Sequence, residues 1–166
     1  MSQKTLNVIA LLTLLAMGGI TAYALLGPRP LPPRIPTHFD LAGRVNGWGG
    51  RWTLCLAPGM ATAIYALMSL TSRFPQAFNY PARATPATRP RMQAISLDMI
   101  AWLKAELACL FFWIQYATIR SAWEGVNGLS PWFVPCVLVV VFGTIAWHFV
   151  ALIKASRAAS WTDPRN

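Results

Sequence analysis

The chain has 166 residues, of which 55% are hydrophobic and 11% are charged, whereas soluble globular domains carry about 25% charged residues. A soluble domain of this size has too little interior to bury so much apolar surface, so the composition excludes a soluble fold. The net charge of +9 does not indicate nucleic acid as a partner, because the basic residues lie beside long apolar runs, where they suit anionic lipid head groups.

The first two apolar runs each predict a membrane-spanning helix. Residues 6–26 follow Lys4 and are long enough, at about 1.5 Å per residue, to cross a hydrocarbon core of about 30 Å. A cleaved signal peptide is the alternative, since Ala22-Tyr23-Ala24 resembles a cleavage site, but the length of the run and the three later runs favour an uncleaved helix. Residues 52–71 contain Pro58-Gly59, which predicts a kink in the second helix.

The last two runs complete the predicted fold. Residues 97–119 are less purely apolar and contain Asp98, Lys104 and Glu106, whereas residues 132–153 form the most hydrophobic run. We therefore predict an all-α membrane protein with a single domain over residues 1–166. Its architecture would be a four-helix transmembrane bundle with an ordered Pro/Gly-rich loop, residues 28–51, between the first two helices.

The charges of the loops predict an orientation. The second loop carries Arg73, Arg83, Arg89 and Arg91, and its four prolines predict an extended rather than helical conformation. Because short basic loops stay in the cytoplasm, both termini are expected on the cytoplasmic side of a bacterial inner membrane. The first loop would then lie outside.

The first loop is the most distinctive stretch of the chain. Residues 31–51 read LPPRIPTHFDLAGRVNGWGGR, in which the prolines stiffen the start and Asn46-Gly47 and Gly49-Gly50 predict turns with positive φ. Such a loop is expected to be ordered and to fold back on the membrane surface. Four apolar side chains would then enter the interface: Ile35, Phe39, Leu41 and Trp48.

This loop closely resembles the signature of a bacterial membrane domain of unknown function that lies at the N-terminus of SdpI-type immunity proteins. The segment from Arg73 to Pro81, RFPQAFNYP, is also similar to the one that follows the second span in that family. The resemblance implies the membrane fold and, as a candidate role, immunity to or sensing of a toxin peptide or lipid, although SdpI-type proteins carry additional spans. The motif residues it marks as ligand-binding candidates are Arg34, Pro36, Thr37, His38, Asp40, Gly43, Gly47, Trp48 and Arg51.

His38 and Asp40 form the one obvious chemical pair in this loop. Two residues apart on an extended segment, they could act as an acid/base couple or share a metal with Glu124. Alternatively, His38 hydrogen-bonds loop carbonyls and Asp40 caps the turn toward Gly43. Because the loop holds no Ser or Cys nucleophile, no hydrolase is indicated, and we predict that the protein is not an enzyme and needs no cofactor or metal.

Glu106 and His148 are a second candidate site, at membrane depth. Ionisable groups there are costly and usually face the bundle interior or a hydrated cavity, so the two could meet across antiparallel helices in a proton-linked or ligand-binding site. The alternatives are an interhelical hydrogen bond or a pairing of Glu106 with Lys104. Gln115 is interpreted as a contact between helices.

Three classes of function follow from these residues. The first is an immunity or sensing protein that binds a hydrophobic peptide or lipid; the second is a small proton-coupled transporter, in which a homodimer would supply further spans; the third is a metal-dependent membrane enzyme acting on lipid or envelope precursors. The expected partners are membrane lipids, a hydrophobic peptide or a partner membrane protein, and a second copy of the chain. Cys55, Cys109 and Cys136 share no metal-ligand spacing and are interpreted as small hydrophobic residues.

Overall fold

The computed structural model describes residues 1–80, 84–126 and 128–157. Pro81 and Arg83, named above, lie outside these ranges. The regular elements follow in the order α1 (Gln3–Leu26), β1 (Arg34–Phe39), β2 (Val45–Gly50), a 3₁₀ helix (Arg51–Cys55), α2 (Leu56–Thr71), a 3₁₀ turn (Pro75–Ala77), α3 (Arg89–Glu124) and α4 (Phe133–Arg157).

In the described residues the fold is mostly helical, and three helical segments among them are long and apolar enough to cross a membrane. These are Gln3–Leu26, Arg51–Thr71 and Phe133–Arg157. Large apolar side chains on their outer faces are exposed, among them Leu15, Leu67, Val139 and Trp147. An exposed apolar surface of this extent suits lipid rather than water, so the protein is a membrane protein.

Helix α3 lies at the centre of the molecule, where it packs against α1, α2 and α4. It has 36 residues and is longer than the predicted span of residues 97–119. It is not among the three segments marked above as long and apolar enough to cross a membrane, and polar side chains such as Lys104 and Gln115 are buried along it. The least apolar helix is therefore the one that the other three surround.

Prolines lie near the starts of α2 and α3. Pro58 is the third residue of α2, and because the 3₁₀ helix Arg51–Cys55 runs directly into α2, Pro58 lacks the N–H that would otherwise bond the carbonyl of Leu54. The second loop was expected to be extended, which is wrong for its last part, because α3 already begins at Arg89. Thr85 and Thr88 form a hydrogen-bonded turn just before that helix, and Pro90 is accommodated in its first turn.

The loop between α1 and α2 folds into a two-stranded antiparallel sheet rather than an irregular loop. We call β1, β2 and their turn the hairpin, and the end of the helices beside it the hairpin end. Ile35 of β1 is completely buried there in a cluster with Ala24, Leu54 and Ile119. Helices α1 and α3 and the 3₁₀ helix before α2 thus share one apolar core with the hairpin, and this core holds the hairpin in a defined position.

Candidate functional site

Strand pairing fixes the relative positions of the motif residues in the hairpin. Pro36 pairs with Trp48 and His38 with Gly47, and the register shifts on both sides of His38. Pro36, like Ile35, is fully buried, whereas the side chains of His38 and Trp48 are exposed. The expectation that Ile35 enters the membrane interface is therefore wrong, because this side chain belongs to the protein core.

His38 is held by its neighbour on the opposite strand. Its Nδ1 donates to the Oδ1 of Asn46. A Cβ at Gly47 would lie 2.9 Å from the Cβ of His38. The absence of a side chain at Gly47 therefore leaves room for the side chain of His38 on the paired strand. The prediction that His38 hydrogen-bonds loop carbonyls is wrong, because its partner is the side-chain amide of Asn46.

Asp40 caps the turn of the hairpin. Its Oδ1 accepts from the backbone N–H groups of Ala42 and Arg44, both at 2.9 Å. Gly43 completes the turn with φ +76°, a conformation that glycine adopts without strain. The turn therefore lies at residues 40–44. The turns with positive φ expected at Asn46-Gly47 and Gly49-Gly50 are wrong, because those residues belong to β2.

The tip of the hairpin is docked on the connection between α3 and α4. The N–H of Leu129 donates to the carbonyl of Gly43 at 3.2 Å, and a Cβ at Gly43 would lie 2.0 Å from the carbonyl oxygen of Leu129. Nearby, a Cβ at Gly128 would lie 2.1 Å from the ring of Phe39. Two glycines thus allow a backbone and a ring to approach closely, and the hairpin is held at both its base and its tip.

The remaining motif residues point outward. We call the exposed side chains of Arg34, Thr37, His38, Trp48 and Arg51 the hairpin surface. Trp48 is 60% exposed, and the guanidinium of Arg51 lies 5.6 Å from the ring centre of the neighbouring Trp52. The hairpin surface therefore combines basic groups with aromatic rings on a rigid support.

The candidate metal ligands are not brought together. No hydrogen bond joins His38 and Asp40, and Glu124 instead forms a salt bridge of 2.8 Å with Arg120. The hydrogen bond from Arg120 to Glu124 and the negative charge of that carboxylate raise the pKa of Arg120. Within residues 1–80, 84–126 and 128–157, no three His, Cys, Asp or Glu side chains are placed to hold a metal ion.

A cluster that sequence reasoning missed also lies at the hairpin end. Arg29 donates to the carbonyl of Trp123 at 3.1 Å, and its guanidinium lies 5.1 Å from the centre of that indole ring. Tyr23 meets the same ring edge-on at 6.1 Å. Arg29 and Trp123 are 94 residues apart, so no local pattern in the sequence could have paired them.

Glu106 and His148 both take partners across the contact between α3 and α4, but they do not bind each other. Thr144 donates to Glu106 Oε1 at 2.5 Å, while His148 Nε2 lies 3.2 Å from Asp98 Oδ2 and Nδ1 donates to the carbonyl of Thr144 at 2.8 Å. Asp98 lies inside α3 and is thus a member of this cluster. The alternative of Glu106 pairing with Lys104 is wrong, because the two residues lie on different faces of α3.

Lys104 and Gln115 connect α3 to the other helices. Lys104 donates to Ser69 on α2 at 3.4 Å, and its ammonium lies 5.2 Å from the ring centre of Tyr65. Gln115 donates to Thr21 on α1 and to the carbonyl of Leu54 before α2, at 2.7 and 3.0 Å. The interpretation of Gln115 as a contact between helices is confirmed by these bonds.

Comparisons with known proteins agree with the predicted resemblance in part. Residues 8–62 match the family model of a domain of unknown function, DUF1648, and these residues run from α1 through the hairpin into α2. An uncharacterized protein of Archaeoglobus fulgidus is 34% identical over 158 residues, which cover 87% of this chain and 86% of that protein. No solved structure matches the chain.

Proposed function

The chain belongs to the same family as this archaeal protein, and from the resemblance of its hairpin motif to SdpI-type proteins we propose that it is a membrane receptor in SdpI-like immunity or sensing. Its ligand would be an amphipathic toxin peptide that binds at the hairpin surface. The protein would lie in the cytoplasmic membrane with four spans, both termini inside and the hairpin outside. No catalytic step is proposed.

The observation that carries this proposal is the rigid presentation of the hairpin surface. The hairpin is fixed by Ile35 in the core, by the Asp40 cap and by the contact of Gly43 with Leu129. Binding to a surface that is already ordered costs less conformational entropy than binding to a mobile loop. Because the hairpin surface includes both arginines and Trp48, we expect its ligand to combine an apolar face with acidic groups.

The contacts of α3 support a fourth span. A helix of this length exceeds the thickness of a bilayer, and its polar residues at membrane depth have partners on neighbouring helices. Polar groups paired inside a bundle cost less in lipid than unpaired ones. A four-span topology would also place α1 and α4 with their outer ends on the same side as the hairpin.

Peptide binding to the full chain in nanodiscs tests the receptor proposal. Acidic and basic amphipathic helical peptides of equal length and hydrophobicity are titrated against nanodiscs of zwitterionic lipid, with and without anionic lipid. We expect saturable binding of the acidic peptide that Trp48→Ala and Arg34→Ala each weaken about tenfold, whereas Trp147→Ala, a matched substitution on the exposed face of α4, leaves it unchanged.

The outcomes of this titration separate the possible ligands. If anionic lipid itself occupies the hairpin surface, adding it to the nanodiscs abolishes peptide binding, and the ligand is a head group. If neither peptide binds above the level of empty nanodiscs, or if Trp48→Ala binds as well as the wild type, the receptor proposal is wrong.

A second candidate function, proton-coupled transport, is favoured by the polar contacts between α3 and α4. Asp98, His148, Thr144 and Glu106 follow one another along this contact, and Asp98 is partly exposed while His148 is buried. The three titratable groups of this series, with the Thr144 hydroxyl between them, could move a proton along the helices. In proteoliposomes, this candidate predicts proton uptake that Glu106→Gln abolishes; uptake that persists in this variant would exclude it. Partnership with a second copy belongs to the same candidate.

A further inference from the structure

An apolar cleft of about 470 Å³ opens between α1, α3 and α4, away from the hairpin surface. Sites for small molecules have volumes of about 300–1,000 Å³, so the cleft can hold a ligand of moderate size. Its walls are formed almost entirely by apolar side chains, with Leu6 and Ile9 from α1, Trp102 and Trp113 from α3, and Val137 and Val140 from α4.

Glu106 is the exception in this lining, because among the described residues of the cleft it alone has a charged side chain. Its Oε1 accepts the bond from Thr144, but Oε2 is buried and has no hydrogen-bond partner in the part of the chain that the structure describes. A carboxylate oxygen in apolar surroundings without a partner is costly. Because the terminal torsion of glutamate is soft, a small rotation presents this oxygen to the cleft.

The cleft face of α3 also suits a positive charge. Trp102, Glu106, Cys109 and Trp113 are spaced at intervals of three and four residues, which places them on one face of the helix. The faces of indole rings attract cations, most strongly where water is excluded. A zwitterionic or anionic phospholipid has no net positive charge to offset the carboxylate, and the apolar face of a second copy would leave it unpaired.

We propose that this cleft binds a lipophilic cation, with its apolar or aromatic body between α1 and α4 and its ammonium group against the carboxylate of Glu106. The site lies apart from the hairpin surface and does not rest on the receptor proposal. It would accept molecules that enter sideways from the bilayer, since the cleft is lined by the apolar faces that lipid also contacts.

Equilibrium dialysis with the full chain in nanodiscs tests this site. The probe is radiolabelled naphthylmethyl-trimethylammonium, empty nanodiscs set the background, and neopentylnaphthalene, the uncharged isostere, serves as competitor. We expect saturable binding of the cation that Glu106→Gln weakens about tenfold or more and that the isostere does not displace. Glu124→Gln, a matched change at an exposed carboxylate outside the cleft, should leave binding unchanged.

A second variant keeps the test decisive if Glu106→Gln does not fold. Val140 lines the cleft and is 53% exposed, so Val140→Trp fills the cleft from its open side and should also prevent binding while Glu106 stays in place. Absence of saturable binding to the wild type would overturn the proposal and leave the cleft to lipid or a second copy. Equal displacement by the isostere, or unchanged binding by folded Glu106→Gln, would equally overturn it.

Discussion

The side-chain amide of Gln115 donates to the backbone carbonyl of Leu54 at 3.0 Å. Leu54 lies four residues before Pro58, which has no N–H to donate to that carbonyl. An unpaired carbonyl in a bilayer is unfavourable, because no water is present there to hydrogen-bond it. A side chain of the central helix thus supplies the hydrogen bond that proline removes from the start of α2.

This relationship predicts that Gln115 and Pro58 are energetically coupled. Gln115→Leu should lower the free energy of unfolding by about 1–2 kcal/mol, because it leaves the Leu54 carbonyl unpaired, while Thr21 still donates to Met17. In a Pro58→Ala background the new N–H can take over, and the cost should fall to about half. Equilibrium unfolding of the four proteins in mixed SDS micelles measures the coupling; strictly additive effects would contradict it.

A second prediction concerns the docking of the hairpin tip. Gly43→Ala should undock the tip at a cost of about 2 kcal/mol, because alanine is strained at φ +76° and its Cβ would lie 2.0 Å from the carbonyl of Leu129. Hydrogen exchange of the Leu129 amide, which donates to Gly43, should become faster. Gly50→Ala is the matched control, since its Cβ would meet nothing within 4 Å and its backbone is already extended. Similar exchange in both variants would refute the docking argument.

The role of Asp40 can be separated from its charge. Asp40→Ala removes the acceptor of two backbone N–H groups and should destabilise the hairpin by about 1–2 kcal/mol. Asp40→Asn retains a side-chain oxygen and should keep most of that stability. Limited proteolysis between β1 and β2 reports the difference. If Asp40→Asn keeps the hairpin folded but loses ligand binding, the carboxylate has a role in recognition beyond the turn.

The sequence predicted the helices better than the hairpin, for physical reasons. Continuous apolar runs mark α1 and α4, whose exposed faces meet lipid. Helix α3 carries polar groups along its length, so no change from polar to apolar residues marked where it begins and ends. Strand β2 contains three glycines, a residue depleted in strands, so its pairing with β1 was not evident. Two of those glycines serve close contacts, Gly47 beside His38 and Gly49 beside Thr37.

The candidate sites were predictable only where partners are near in sequence. The cap by Asp40 is local and was among the alternatives considered, whereas the partners of Glu106 and His148 lie 38 and 50 residues away. Residue type showed that these groups need partners at membrane depth. The partners that Glu106 and His148 take depend on how α3 is rotated about its axis relative to α4. An amphipathic pattern could not define that rotation, because α3 is buried on several sides.

The bond between Thr144 and Glu106 gives a last prediction. Thr144→Val removes the partner of Oε1 and leaves both carboxylate oxygens unpaired in the described structure, so the free energy of unfolding should fall by about 1–2 kcal/mol. Thr13→Val is the control, because Thr13 donates only to the Ile9 carbonyl of its own helix, and its loss should cost less than about 0.5 kcal/mol. Unfolding in SDS compares the stability of the two variants. Adding Glu106→Gln to Thr144→Val should restore part of the lost free energy of unfolding, because a neutral amide is less costly to bury unpaired than a charged carboxylate. If the two threonine variants were equally stable, the contact between α3 and α4 would not depend on Glu106.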